Sequence, residues 1–113
     1  MCPAVMKYNI KHGDGNREIP RRQKNIKDIL WSEPEVAKTF RQAGLSEDTA
    51  DLGDLLDAYV RALDLPRTLQ DMGISTDVIP ALSERALADF WSPTNPVPLL
   101  KAEQVKEILE AVA

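Results

Sequence analysis

The side chains with reactive chemistry are few. His12 is the one imidazole and Cys2 the one thiol in 113 residues. Neutral imidazole is a common metal ligand, yet no set of partner ligands stands at a supporting spacing, and Gly13, Asp14, Gly15 and Asn16 beside His12 predict a surface loop. Cys2 would be reactive if exposed, but nothing near it in the sequence marks a thiolate. Asp48, Asp51, Asp54 and Asp57 recur every third residue, a spacing open to misreading as a calcium site. The pattern lacks the glycine and the terminal bidentate glutamate of an EF-hand loop. Carboxylates complementing the positive end of a helix explain it more simply. No glycine-rich phosphate loop or nucleophile elbow is present, and no histidine is free to serve a cysteine or serine.

The elements that must position these residues are helical. The stretch Asp51 to Gly73 predicts a helical hairpin: Asp51 as N-cap with Asp54 three residues on, then Leu52, Leu55, Leu56, Tyr59, Val60 and Leu63 as one apolar stripe. Pro66 is expected to stop that helix and start a short second one. Its Leu69 and Met72 would face inward, with Gly73 as the left-handed terminus.

In chain order, residues 3 to 9 predict one or two helical turns with Ala4, Val5 and Tyr8 on one face, and Ile10 to Ile19 a loop. A helix from about Pro20 to Leu30 would turn Ile26, Ile29 and Leu30 inward, with Trp31 closing it. Ser32 and Glu35 read as a capping box for the next helix, which has Val36, Ala37 and Phe40 inside and Gly44 as its end. Thr76 would cap a helix through about Asp89 that carries Ile79, Leu82, Ala86 and Leu87 inward and tolerates Pro80 near its start. The segment FWSPTNPVP, with three prolines, predicts extended chain. A last helix from about Lys101 to Val112 presents Val105, Ile108, Leu109 and Val112. No repeat and no strict alternation occurs, so the fold class is all-α, a bundle of about six helices.

Composition allows one modest core in a chain of single-domain size, with aromatics at only 5%. No apolar run approaches a membrane span, no secretory leader is visible, and a single cysteine suits a reducing compartment, so a cytoplasmic protein is expected. Net charge is −4, unevenly placed. Lys7 to Lys27 holds seven basic residues against two acidic, a local +5 that leaves −9 on the rest. Such asymmetry can mark a nucleic-acid patch, but no aromatics interleave between Tyr8 and Trp31 and no binding signature is present. A solvated helix face is the preferred reading.

Two phrases, LDAYVRALDLPRTLQDMGI and ALADFWSPTNPVPLLKAEQVKEIL, together with CPAVMKYN at the start, resemble the C-terminal helical domain of the iron-containing alcohol dehydrogenase family, most closely its maleylacetate reductase-like branch. The resemblance covers all of this chain but only the tail of the family's, the C-terminal part of a dehydroquinate synthase-like helical domain. It implies, for a full-length member, NAD(P) and a divalent metal, iron or zinc, held by one aspartate and three histidines, which would polarise the substrate oxygen during hydride transfer. Those ligands and the cofactor domain precede the segment matching CPAVMKYN, so residues 1–113 are expected to be one helical domain, incomplete relative to the family. The family's last metal histidine is followed by glycine, but that dipeptide precedes the PAVMKYN-like segment, and the role does not pass to His12. No catalytic, cofactor-binding or metal residue is therefore assigned. The family usually places a hydroxyl residue ahead of the last helix. Leu100 stands there, which implies a weaker cap. Thr94-Asn95-Pro96 is the most family-specific loop and is expected to be structural, with Asn95 tying a turn. The resemblance implies the C-terminal part of a metal-dependent oxidoreductase, inactive alone. The alternative is a stand-alone helical module that pairs with itself or with a full-length relative through the face around Val5, Met6 and Tyr8.

Overall fold

Six α-helices and three short 3-10 turns make up the protein, with no strand. The computed structural model describes every residue from Met1 to Ala113. The helices are α1 (Cys2–His12), α2 (Glu18–Ser32), α3 (Pro34–Gln42), α4 (Leu52–Ala62), α5 (Ile79–Ala86) and α6 (Ala102–Glu110).

Two halves meet along α1. In the first, α1 packs along α4, and α2 and α3 close over α4. Trp31, Ala37, Phe40, Ala50, Leu55 and Ala58 form its core. Phe40 and Leu55 have no exposed surface, and burying a side chain of that size contributes about 1.5–3 kcal/mol. The Trp31 and Phe40 rings meet edge to face, 5.2 Å between centroids, and the Arg41 guanidinium lies 5.6 Å from the Trp31 centroid. In the second half α5 packs on α6 around Ile79, Val105 and Leu109. Ala4 and Tyr8 of α1 join the halves by packing on Ile108 of α6. Leu99, from the proline-rich segment, touches both the α1–α6 seam and the α5–α6 core.

Gly53 lets α1 approach α4 closely. A Cβ there would stand 2.6 Å from Lys7 Cγ and 2.8 Å from the Pro3 carbonyl oxygen.

The first turn of α4 forms as expected. Asp51 Oδ1 accepts from the Asp54 amide at 2.8 Å, and Asp54 Oδ2 accepts from the Asp51 amide at 3.0 Å. This reciprocal box satisfies two amides that the helix leaves unpaired.

Several expectations are corrected. Helix α1 runs to His12, well past residue 9, because Tyr8 and Asn9 are buried against the rest of the molecule and its end is held to α6. On α2 the inner residues are Ile19, Gln23 and Trp31, while Ile26 and Ile29 are 44% and 65% exposed. Gln23 can face inward because its amide donates to the Met6 carbonyl at 3.0 Å. Ser32 does not cap α3: it belongs to α2, its hydroxyl donates back to the Ile29 carbonyl, and Glu33 takes the N-cap position without a side-chain bond.

Helix α4 ends at Ala62, short of Pro66, where Asp64 adopts a left-handed φ of 54°. Its stripe is narrower than expected, since Tyr59 and Leu63 are exposed. The second arm of the hairpin is only a 3-10 turn, Gln70–Met72, with Met72 exposed and Gly73 left-handed as expected. Asp71 organises that turn by accepting from the Arg67 and Thr68 amides. Thr76 makes no cap. A 3-10 turn at Thr76–Val78 leads into α5, which stops at Ala86. The proline-rich segment is not wholly extended either, because Ser92–Thr94 forms a 3-10 turn. The start of α6 is better capped than Leu100 implied: Gln104 Oε1 accepts from the Leu100 and Lys101 amides at 2.8 and 2.9 Å.

Candidate functional site

The polar side chains gather in three places, none of which is a catalytic constellation by its groups. At the first, His12 closes α1 against α6. Its Nε2 lies 2.9 Å and 3.0 Å from the two carboxylate oxygens of Glu107, and Lys11 Nζ reaches Glu107 Oε1 at 2.6 Å. The imidazole also stacks on Tyr8, 4.5 Å between centroids. Hydrogen bonds from His12 and Lys11 hold the Glu107 carboxyl below the usual glutamate range. His12 is thus an exposed helix-terminal residue engaged by its own fold; the loop expected around it begins one residue later.

The second place is a ladder of charges along α4. Lys7 Nζ donates to Asp51 Oδ2 at 3.0 Å and Asp54 Oδ1 at 2.6 Å, bridging α1 to the α4 cap. Asp57 takes a two-pronged contact from Arg67, 2.6 Å to Oδ1 and 3.0 Å to Oδ2, and a third from Arg61. Burial pushes both Asp54 and Asp57 upward, but the donors outweigh it and both carboxyls lie below the usual range. For Lys7 burial acts downward and the two aspartates prevail, so its ammonium is held above the usual lysine value. Of the four aspartates read from the sequence, Asp51 and Asp54 are cap residues, Asp57 is an arginine partner and Asp48 lies exposed in the turn before α4. Beside them runs an open groove of about 300 Å³ whose walls include Cys2, Lys7, Asp54, Arg67, Met1 and Val112. Cys2 is exposed there as a free thiol.

At the third place the proline-rich loop is fastened to α1. Asn95 Nδ2 donates to Asn9 Oδ1 at 2.6 Å and to the Val97 carbonyl at 2.7 Å, and Asn9 Nδ2 lies 3.3 Å from Asn95 Oδ1. Asn9 is only 2% exposed, so its carboxamide depends on these partners. Asn95 does tie a turn, and it reaches a residue 86 positions away as well. A second open groove of about 460 Å³, lined by Met6, Asn9, Gln23, Ile26, Asn95 and Pro96 among others, passes this pair.

Glu107, Asn9, Gln23 and Arg67 were missed as organising residues. Their partners lie from 10 to 96 positions away, and no local pattern carries that information. Only Asn9, a carboxamide next to the apolar face of α1, carried a hint. Five of the seven basic residues between Lys7 and Lys27 pair with carboxylates of this chain: Lys7, Lys11, Arg21, Arg22 and Lys24. No helix is long and apolar enough to cross a membrane.

An all-helical bundle with a buried asparagine pinning a proline-rich loop is the architecture to which the family comparison gives a class. The family model described as "Fe-containing alcohol dehydrogenase family, C-terminal" matches residues 1–113, and the chain belongs to that family. Among curated proteins it is 41% identical over 110 residues to Dehydrogenase ALT3 of Alternaria alternata, covering 96% of this chain and 28% of that protein. It is 34% identical over 113 residues to Dehydrogenase FUM7 of Gibberella moniliformis, covering 100% of this chain and 26% of that one. With Alcohol dehydrogenase 4 of Saccharomyces cerevisiae it shares 28% identity over 110 residues, 97% of this chain and 26% of the yeast protein. The chain therefore spans about a quarter of the length of these relatives. No solved structure matches it.

The residues present do not fit the iron of the family's description. The single imidazole is engaged by Glu107 and Tyr8, and no three His, Cys, Asp or Glu side chains converge on a point that would hold a metal ion.

Proposed function

We propose that the chain serves as the C-terminal helical part of a metal-dependent, NAD(P)-linked alcohol dehydrogenase of the maleylacetate reductase-like kind, and that it is not catalytic by itself. The match of all 113 residues to the family's C-terminal region carries this reading. The names of the Alternaria, Gibberella and yeast relatives, two dehydrogenases and an alcohol dehydrogenase, support it. Iron or zinc and the nicotinamide nucleotide would be held by residues outside these 113. We place the assembly in the cytoplasm, a reading supported by a chain with one free thiol and no disulfide.

The test joins this chain to the portion of the Alternaria dehydrogenase that precedes its matched region. The free chain, supplied with iron or zinc and NAD or NADP, is expected to reduce no nucleotide above a blank with any alcohol. The chimera is expected to do so. Metal-dependent turnover by the free chain overturns the claim that it is inactive alone; a folded, metal-loaded chimera without turnover overturns the oxidoreductase assignment.

A further inference from the structure

The aromatic pair Phe90–Trp91 is the most exposed apolar feature of the molecule, at 80% and 69%. The two rings pack edge to face, 5.2 Å between centroids, so they present one preformed apolar surface. The segment carrying them is held in place. Asp89 Oδ1 accepts from the Trp91 amide at 2.9 Å, and the Ser92 hydroxyl donates to the Ala86 carbonyl at 2.8 Å. Four residues on, Asn95 is anchored to the buried Asn9. A fastened loop that displays two large aromatic rings to water is unusual for an isolated surface, where such residues are normally part of a contact. The same loop supplies Asn95 and Pro96 to the groove, lined mostly by polar residues, that Met6 and Ile26 also line.

Two whole-molecule observations say what covers it. The bundle is a slab with extents of 41 × 36 × 20 Å and a radius of gyration of 15.1 Å, against about 13 Å for a compact domain of this length. Only 18 of 113 residues are buried. The curated relatives are roughly fourfold longer than the matched region, and the matching family region is the C-terminal one. What the relatives have in addition therefore precedes this region.

We infer that the exposed pair Phe90 and Trp91, on the loop fastened through Asn95, is the docking seam for the upstream part of a family dehydrogenase polypeptide. The occupant is that upstream part, whether it is joined at Met1 or supplied by a separate chain. This inference rests on the proposed function only in the identity of the occupant.

The test is hydroxyl-radical footprinting, read by mass spectrometry, on the free chain and on the chimera described above. Oxidation of Phe90 and Trp91 is expected to fall at least about threefold in the chimera, as burial at an interface requires. A smaller fall in a monodisperse chimera overturns the seam. Activity separates the two claims: a chimera that turns over alcohol with Phe90 and Trp91 still reactive leaves the functional reading standing and removes the seam. A protected but inactive chimera does the reverse.

The free chain supplies a reading that needs no chimera. Phe90→Ser/Trp91→Ser is expected to leave its melting temperature within about 2 °C, as for surface changes, and to remove at least about half of its binding of a hydrophobic dye. A fall of more than about 5 °C would show that the pair supports the bundle from within, and unchanged dye binding would show that it is not the exposed apolar surface. Either result overturns the inference.

Discussion

Asn9 is a carboxamide with almost no access to water, so the molecule must supply its partners. Asn95 supplies them, and Asn95→Ala removes the 2.6 Å bond to Asn9 and the 2.7 Å bond to Val97 together. The expected cost is about 1–3 kcal/mol, the penalty of a buried polar group left unpaired, measured as a lower urea midpoint at unchanged slope. A cost below about 0.5 kcal/mol would mean that Val97 and Leu99 alone hold the loop. Charge acts on the same scale. Asp54, Asp57, Asp71 and Glu107 all have carboxyls lowered on folding, so the unfolded chain binds more protons in acid. Their contribution is fully present above the ordinary carboxylate range and is lost as pH falls through the lowered folded values. The melting temperature is expected to rise with pH through the acid range below the ordinary carboxylate values and then to level above them. Lys7 works with the opposite sign: its raised value makes a contribution present below pH 10.5 and lost as pH rises beyond it. The ion pairs of Asp54, Asp57 and Glu107 are partly solvated, so 1 M salt should flatten their part of the acid limb. An acid limb unchanged by salt would count against ion pairing as its source.

At the scale of elements, helices with their own end signals were legible and their depths were not. Asp51 with Asp54, Gly73 and the Val105–Ile108–Leu109 face were readable because each is settled by residues within one or two turns. Ile26 and Ile29 were misjudged because periodicity offers more than one face. The face chosen is the one on which Gln23 finds the Met6 carbonyl, a partner 17 positions away. The Pro66 arm failed for a similar reason: Asp64 turned the chain before the proline, and Asp71 then held a single tight turn. Of the candidate site, the family was readable from its phrases. The pairing of His12 with Glu107, across 95 positions, was not. The close approach of α1 to α4 was also hidden, and it gives a prediction. Gly53→Ala would gain about 0.5–1 kcal/mol in helix propensity, yet its methyl meets the Pro3 carbonyl, which is backbone and cannot swing aside. A net loss of about 1–2 kcal/mol is expected by thermal or urea denaturation, the range for an overpacked contact. A stabilised Gly53→Ala protein would show that the two helices are not held together there.

For the molecule as a whole, the most extensive helix packing, α1 on α4, joins segments remote in sequence. Helix α1 packs chiefly along α4 and touches α2 and α6 to an equal, smaller extent, with Gln23 of α2 donating to its Met6 carbonyl. The long-range packing of α1 on α4 and α6 thus ties both ends of the chain to its middle, while α5 on α6 and α3 on α4 pair neighbours in sequence. Met1 and Val112 line the same groove, and Ala4 shares an apolar cluster with Val112. The first helix is therefore, in space, the companion of the last. A version in which a short flexible linker of about five residues joins Ala113 to Met1, reopened between the exposed residues Asp14 and Gly15, would place α1 after α6. It should give the parent's circular dichroism and a single cooperative melt within about 5 °C of it, because exposed turns tolerate new ends. Failure to fold would mean that α1 must be made before α2. Success would mean that this bundle is a ring of helices, and that its chain order is one choice among several.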